Sequence, residues 1–211
     1  MRAVCTFLQT TSGELPQLED LAPTKRVSVD VLDFPDAARW ESWLDAQHGV
    51  RAEAWLRIAK RHSGIASVTP AEALDVALCY GWIDGQRRAH DDTSFLQRFS
   101  RRRPRSSWSK VNVAKVEALM ATGRMRPAGL AQVAAAKADG RWEAAYESQR
   151  TAAVPPDLAA ALARNSRAYA AFERLGRSDR YAVILPLLKA RTPETRSRIL
   201  ARAVARLASQ K

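Results

Sequence analysis

The chain has 211 residues, of which 34 are Lys or Arg and 22 are Asp or Glu, and its net charge is +12. Hydrophobic residues make up 46% of it, which is enough for a packed core in one or two domains of ordinary size. Two isolated cysteines, Cys5 and Cys79, argue against a disulfide framework. No apolar run approaches the roughly 20 residues of a membrane-spanning helix, and residues 1–8 make a poor signal peptide. We therefore expect a soluble, cytoplasmic protein.

The positive charge is concentrated toward the C-terminus. Residues 1–30 hold three basic and four acidic residues, residues 31–150 nineteen and fourteen, and residues 151–211 twelve and four. Such a balance favours polyanionic partners, such as nucleic acid or an acidic protein surface, and it also keeps a protein in solution.

The first elements in chain order are an extension, a short strand and a helix. Residues 1–26 show no sustained periodicity and are predicted to be a loose N-terminal extension. Alternating valines over residues 27–31 predict a strand. A helix is predicted from Phe34, with Trp40 and Trp43 on one face, which is typical of a hydrophobic core.

A second strand and a hairpin follow. Residues 54–60 alternate in a way that predicts a strand. Thr69 and Glu72 have the spacing of a capping box, which marks the start of a helix. Residues 82–88 and 94–99 flank a polar turn and predict a β-hairpin.

The remainder of the chain is predicted to be helical. Two helices are expected between Ser106 and Gly140, and the first begins near Ser107. Residues 149–157 have the composition of a linker. Further helical patterns come after it, one of which Pro186 is expected to kink or shorten.

These elements predict an α+β fold that is predominantly helical. A small antiparallel sheet with packed helices is followed by an all-helical C-terminal module, and the alternation of a parallel α/β sheet is not seen. We expect three parts: the extension 1–26, an α+β domain 27–150 and the helical module 151–211.

The sequence lacks the common catalytic and metal-binding patterns. His48, His62 and His90 are too far apart in sequence for a helical metal pair and no cysteine cluster joins them, which argues against a zinc site. It contains no nucleophile elbow, phosphate loop or dinucleotide-binding glycine motif. We expect neither a metal nor a cofactor.

The segment from Phe95 to Asn112 combines many cations with hydroxyl groups. It contains five arginines, one lysine and no acidic residue, and serines surround Trp108. Guanidinium groups bind phosphate and carboxylate, and a helix that starts near Ser107 would add an N-terminus that favours anions. The segment predicts an anion pocket. A solvated loop whose arginines pair with neighbouring acids and a nucleic-acid surface are the alternatives.

Several pieces of the chain resemble the bacterial YdeI/OmpD-associated family. They are Gly-Trp-Ile-Asp-Gly at 81–85, Arg-Ser-Ser-Trp-Ser at 105–109, Asp-Gly-Arg-Trp at 139–142 and Thr-Pro-Glu-Thr-Arg at 192–196. The resemblance extends over residues 30–211. It implies a role in protection against bacteriocins or cationic antimicrobial peptides and an association with an outer-membrane porin. It supplies no established catalytic residue.

Three functional hypotheses follow. The favoured one is a stress-resistance protein, related to the YdeI/OmpD-associated family, that acts by interaction with an unknown protein partner. The second is an anion or nucleic-acid binding protein that uses residues 98–110 and takes a phosphate-bearing ligand. The third is an unrecognised enzyme with a pocket near Lys60, Asp84, Arg98 and Trp108, for which no catalytic residue is predicted. The candidate binding residues are Lys60, Trp82, Asp84, Arg98, Arg103, Arg105, Ser107, Trp108 and Asn112.

Overall fold

A computed structural model describes residues 30–209. This part of the chain forms four strands and eight α-helices, which confirms the predicted α+β, predominantly helical class. The predicted extension 1–26 and the first valines of the predicted strand lie outside the described residues. In chain order the elements are β1 Val31–Asp33, α1 Ala37–Gln47, β2 Glu53–Ala59, α2 Pro70–Cys79, β3 Trp82–Ala89, β4 Ser94–Arg101, α3 Lys110–Ala121, α4 Pro127–Ala138, α5 Pro156–Ala163, α6 Ser166–Arg174, α7 Arg177–Lys189 and α8 Pro193–Ala208.

The four strands form one sheet in the order β1-β2-β4-β3. β4 pairs antiparallel with both β2 and β3, as the predicted hairpin requires. β1, however, pairs parallel with β2, so the sheet is mixed and the purely antiparallel expectation is corrected. The reason is connectivity, because α1 carries the chain back between the two strands so that both run in the same direction.

The hairpin turn between β3 and β4 is organised by Asp91. Its Oδ1 accepts hydrogen bonds from the backbone N–H of Thr93 at 2.8 Å and of Ser94 at 2.7 Å, and from both hydroxyl groups at 2.9 Å. These donors hold the pKa of Asp91 far below its usual range, with the Ser94 hydroxyl as the largest cause. The aspartate therefore stabilises a turn, which is a common role for this residue.

Side-chain caps set the start of several helices. Thr69 and Glu72 form the predicted capping box at α2, and Asn165 caps α6 by accepting from the N–H of Ala168 at 3.0 Å. Helix α3 begins later than expected, because Ser109 is its cap and Lys110 its first residue. Each cap gives an otherwise unpaired N–H group a partner.

Helix α7 continues through Pro186 to Lys189. The expectation that this proline shortens the helix is therefore corrected. Pro186 is exposed, so the carbonyl that loses its helical donor lies near solvent, where water can replace the missing hydrogen bond.

The larger hydrophobic cluster lies between the helices and one face of the sheet. It is aromatic at its centre, where the Trp40 and Trp43 rings stack at 5.3 Å and the Trp82 and Phe99 rings lie 6.5 and 5.6 Å from Trp40. The α4 backbone approaches α2 at Gly129, where an added Cβ would lie 2.2 Å from the Cys79 carbonyl oxygen. This cluster fixes how the helices sit on the sheet.

A second hydrophobic cluster joins helices α5 to α8. Its most buried members are aliphatic side chains together with Phe172. The pair of clusters is consistent in position with the predicted parts 27–150 and 151–211, and that division stays a prediction. The buried residues of the second cluster are Leu158, Leu162, Ala168, Ala171, Phe172, Val183, Ile184, Leu187, Ala203 and Leu207.

Candidate functional site

The predicted residues on the sheet do not converge. Lys60 follows β2, and its Nζ donates to the Asp91 carbonyl at 2.9 Å beside the hairpin turn. Asp84 pairs with Phe99, so it shares the helix-covered face with that ring, while Arg98 points to the opposite face. The enzyme pocket that would combine Lys60, Asp84, Arg98 and Trp108 therefore does not form.

Arg98 has an acidic partner on its own face of the sheet. Its Nε donates to Glu53 Oε2 at 2.9 Å, and this bond keeps the pKa of Glu53 below its usual value. For this one arginine, the structure resembles the alternative in which the arginines of the segment pair with neighbouring acids. It leaves Arg98 less available for an external anion.

Arg103 and Arg105 lie in an exposed turn after β4. The turn is closed by the Ser106 N–H, which donates to the Arg103 carbonyl at 3.0 Å, and Pro104 occupies its second position. Arg105 has a φ of 64°, a left-handed conformation that is unusual for a residue with a side chain. Both guanidinium groups are therefore presented to solvent and line none of the cavities described below.

Two further candidates have structural positions. Trp82 is fully buried in the aromatic cluster, and its Nε1 donates to the His48 carbonyl at 3.4 Å. Asn112 lies in the first turn of α3, where its backbone N–H donates to Ser109 Oγ at 3.3 Å. The contacts of Trp82 explain its position without a ligand, and a binding role for Asn112 stays a prediction.

The unusual arginine of the segment is Arg102. It is only 6% exposed, and its guanidinium carbon lies 3.7 Å from the centre of the buried Trp108 ring. Its Nη2 donates to the Ser107 carbonyl at 2.8 Å. Its Nε and the Trp108 Nε1 are buried without a hydrogen-bond partner among residues 30–209. Burial lowers the pKa of Arg102 to about 10.

Tyr146 and Asp84 of β3 lie near this stacked pair. Tyr146 binds the strand-like segment after Ser107 through its backbone, with its N–H donating to the Trp108 carbonyl and its own carbonyl accepting from Lys110, both at 2.9 Å. Burial raises the pKa of Tyr146 although Arg102 opposes the shift. Desolvation also raises the pKa of Asp84, which Arg87 and Arg102 partly offset.

Arg141 is the second buried arginine. It is 6% exposed, and its Nε lies 2.7 Å from both carboxylate oxygens of Asp139. Its Nη1 donates to the Ser106 carbonyl at 3.0 Å. The Arg-Ser-Ser-Trp segment and the Asp-Gly-Arg-Trp segment of the sequence are therefore in direct contact.

A cavity of about 330 Å³ opens beside these residues. Lys189 reaches it from the end of α7, with its Nζ 4.8 Å from the Tyr146 ring, and burial lowers the Lys189 pKa. Arg191 donates from Nη2 to the Asp139 carbonyl at 2.8 Å. We call it the junction cavity because residues before the predicted linker and residues at the end of α7 both line it. Its lining residues are Ser107, Arg141, Ala144, Tyr146, Leu188, Lys189, Ala190 and Arg191.

The junction cavity is suited to an anion. Arg141, Lys189 and Arg191 bring three cations to it, and the neighbouring acid, Asp139, already accepts from Arg141. The volume is in the range of small-molecule sites in proteins, from about 300 Å³ upward. A phosphate or carboxylate group would meet several charge-assisted donors there.

Residues 30–209 contain no group of three or more His, Cys, Asp or Glu side chains placed to hold a metal ion. None of the described helices has the length and apolarity that a membrane crossing needs.

The structure places one of the predicted binding residues at the junction cavity. Ser107 lines it, and Trp108, the next residue, stacks with Arg102. A binding role for either residue stays a prediction. Arg102 was hidden in a run of similar arginines, and only the nearby tryptophan signals that one of them would be stacked. The contributions of Lys189 and Arg191 depend on contacts across the chain, which no local pattern reveals.

Two family models match the chain. Residues 32–132 match a domain of unknown function (DUF8412), and residues 151–210 match the family described as Bacteriocin-protection, YdeI or OmpD-Associated. The second match confirms the resemblance over the C-terminal segment, whereas the first region matches a different model. No curated protein and no solved structure matches the chain.

Proposed function

Since residues 151–210 belong to the Bacteriocin-protection, YdeI or OmpD-Associated family, we propose that the protein serves a bacterial stress response that protects against bacteriocins or cationic antimicrobial peptides. In this proposal it acts in the cytoplasm and by binding. The ligand is a small molecule that bears a phosphate or carboxylate group, and it occupies the junction cavity.

The observation that carries the proposal is the composition of the cavity wall. The family segment supplies Lys189 and Arg191, while the preceding region supplies Arg141 and Tyr146. A bound anion would therefore contact both regions at once. Because it neutralises cations that otherwise repel one another across the cavity, its binding stabilises the contact between the two regions.

Thermal unfolding in inorganic phosphate tests the proposal. We expect phosphate at low salt to raise the Tm of the wild-type protein, since a ligand that binds only the folded state stabilises it by about 2.7 kcal/mol at a hundred times its Kd. Arg191→Ala should weaken the apparent phosphate affinity about tenfold, which corresponds to about 1.4 kcal/mol. Chloride at equal ionic strength gives the baseline.

Arg103→Ala is the matched control, because it removes one exposed arginine that lies outside the cavity. Its phosphate response should equal that of the wild type. An equal loss of the phosphate-induced rise in Tm in both variants would show that phosphate binds through the general surface charge. An unchanged Tm of the wild type in phosphate would contradict the ligand site itself.

A cellular experiment tests the protective role separately. A strain that lacks the gene should lose viability in a cationic antimicrobial peptide, and the wild-type gene should restore it. If Lys189→Ala together with Arg191→Ala fails to restore survival at normal protein levels, the cavity and the phenotype are linked. Full rescue by this variant would contradict that link.

Nucleic acid is a second candidate ligand, supported by the exposure of Arg103 and Arg105 on their turn. A short DNA or RNA strand should then bind with an affinity that falls steeply with salt. Arg103→Ala would weaken this binding, whereas it leaves the phosphate response unchanged. The same pair of variants therefore separates the two functions.

A further inference from the structure

A groove lies between α7 and α8, away from the junction cavity. Its volume is about 190 Å³, and α7 contributes Ala182, Val183 and Pro186 to it. The α8 side is formed by Ile199, Arg202, Ala203 and Arg206. Five of these seven residues have apolar side chains, so the groove has an apolar floor and a cationic wall.

The cationic wall consists of Arg202 and Arg206. They are four residues apart on α8, so they lie on one side of the helix about 6 Å apart along its axis. Both are exposed, and neither makes an ion pair within residues 30–209. The nearest acid on the same helix is Glu194 in its first turn, roughly 12 Å from Arg202 by the helical rise.

Two acids on helices that contact α8 are paired with other arginines. Asp157 binds Arg196 through two hydrogen bonds of 2.7 and 2.9 Å. Glu173 pairs with Arg180 at 3.3 Å. No ion pair within residues 30–209 therefore neutralises Arg202 or Arg206, and an acidic group from outside would be attracted to them.

Pro186 adds a hydrogen-bond acceptor to the groove. In a regular helix the N–H of residue 186 would donate to the carbonyl of Ala182, and proline has no such hydrogen. Ala182 and Pro186 are both exposed and both line the groove. The Ala182 carbonyl is consequently open to a donor from a bound molecule.

We propose that this groove binds an acidic peptide segment of a partner protein. Carboxylates of the peptide bind Arg202 and Arg206, an apolar side chain rests against the floor beside Ala203, and a peptide N–H donates to the Ala182 carbonyl. The proposal is independent of the junction cavity, because the two sites share no lining residue.

The residues that line the groove favour a peptide over nucleic acid and over a membrane surface. Single-stranded nucleic acid is commonly bound by stacking its bases on aromatic side chains, and none of the seven residues that line the groove is aromatic. A membrane surface would require a broad exposed apolar helix face, whereas Leu207 of α8 is buried in the second cluster. A peptide supplies carboxylates, an apolar side chain and a backbone N–H donor together, as in other complexes that bind a segment in a groove.

A displayed library of random twelve-residue peptides tests the proposal on the full-length protein. We expect enrichment of sequences in which Asp or Glu flanks an apolar residue. A synthetic peptide of the enriched sequence should bind the double variant Arg202→Glu, Arg206→Glu at least tenfold more weakly than the wild type. The binding is measured by fluorescence anisotropy, and circular dichroism checks that both proteins are folded.

The double variant Arg167→Glu, Arg174→Glu, with both changes on α6, is the matched control. It makes the same change in charge at two exposed helical residues outside the groove, and its peptide affinity should stay within threefold of the wild type. Pro186→Ala should raise the Tm while it weakens peptide binding, because the restored N–H occupies the Ala182 carbonyl.

Three results would overturn the proposal. The first is a library that yields no acidic, apolar sequences. The second is an equal loss of affinity in the control and groove variants, which would assign the binding to general charge. The third is displacement of the peptide by a poly-dT strand of equal charge with tighter binding than the peptide, which would identify the groove as a nucleic-acid site.

Discussion

The two hydrophobic clusters are held together in different ways. The cluster on the sheet is centred on Trp40, Trp82 and Phe99, and two of its indoles make hydrogen bonds, Trp40 to the Ala73 carbonyl at 3.1 Å and Trp82 to the His48 carbonyl at 3.4 Å. The helical cluster is mostly aliphatic. Large aromatic side chains bury more area and orient their neighbours through their polar atoms. We therefore expect the sheet region to be the more resistant to local unfolding.

The two regions also differ in how their charges are arranged. Five arginines of the sheet region have acidic partners within residues 30–209, among them Arg57 with Asp33 and Arg126 with Glu41. In the helical region the ion pairs within the described residues are those of Arg180 and Arg196. The surplus arginines of this region are available for binding partners, and their mutual repulsion slightly reduces its stability.

The largest expected effect is a loss of stability from a substitution in the helical cluster alone. Leu187 is fully buried between α7 and its neighbours, and Leu187→Ala should cost about 3 kcal/mol of unfolding free energy, as large-to-small changes in cores do. Hydrogen exchange should show faster exchange in α5 to α8 with α2 and the sheet unchanged. Equal acceleration in both regions would show that the clusters unfold as one unit.

The matching change in the sheet region is Gly129→Ala. The added Cβ would collide with the Cys79 carbonyl, and overpacking of this kind typically costs about 1–3 kcal/mol. Gly49→Ala is the control, because an added Cβ there meets no heavy atom within 4 Å. Denaturation with urea should separate the two variants. A Gly129→Ala protein as stable as the control would mean that α4 can move away from α2 freely.

Local patterns of the sequence explain what could be predicted of this comparison. The hairpin between β3 and β4 and the capping box at Thr69 depend on residues close together in the chain, and both are observed. The parallel pairing of β1 depends on where α1 leads the chain. The position of Arg102 depends on its contact with Trp108, and that of Lys189 on its contact with Tyr146. Arg102 lies in a run of similar arginines and Lys189 is far from Tyr146 in the sequence, so local patterns predict neither contact.

The smallest expected effect concerns the ion pair that ties α5 to α8. Arg196 donates to both carboxylate oxygens of Asp157, and its Nη1 also donates to the Leu187 carbonyl at 2.7 Å. Each partner is about one third exposed, so Asp157→Asn should cost about 1 kcal/mol at pH 7, near the upper end for exposed pairs. Asp179→Asn, which removes an acid that makes no ion pair within residues 30–209, should change the stability by less.

The pH dependence of this ion pair identifies its contribution. The hydrogen bond from Arg196 lowers the pKa of Asp157 in the folded protein, whereas the unfolded chain keeps a value of about 3.9. The unfolded state therefore binds the proton more readily, so the stabilisation is complete above pH 4 or so and is lost as the pH falls through the lowered pKa. Urea denaturation of the wild type below pH 4 should show this loss of stability. Hydrogen exchange over the same pH range should become faster in α5 and α8 first. The Asp157→Asn protein should have a flatter profile, and identical profiles would mean that the pair between Arg196 and Asp157 adds no stability, which would leave Arg196 only its hydrogen bond to the Leu187 carbonyl, between α8 and α7.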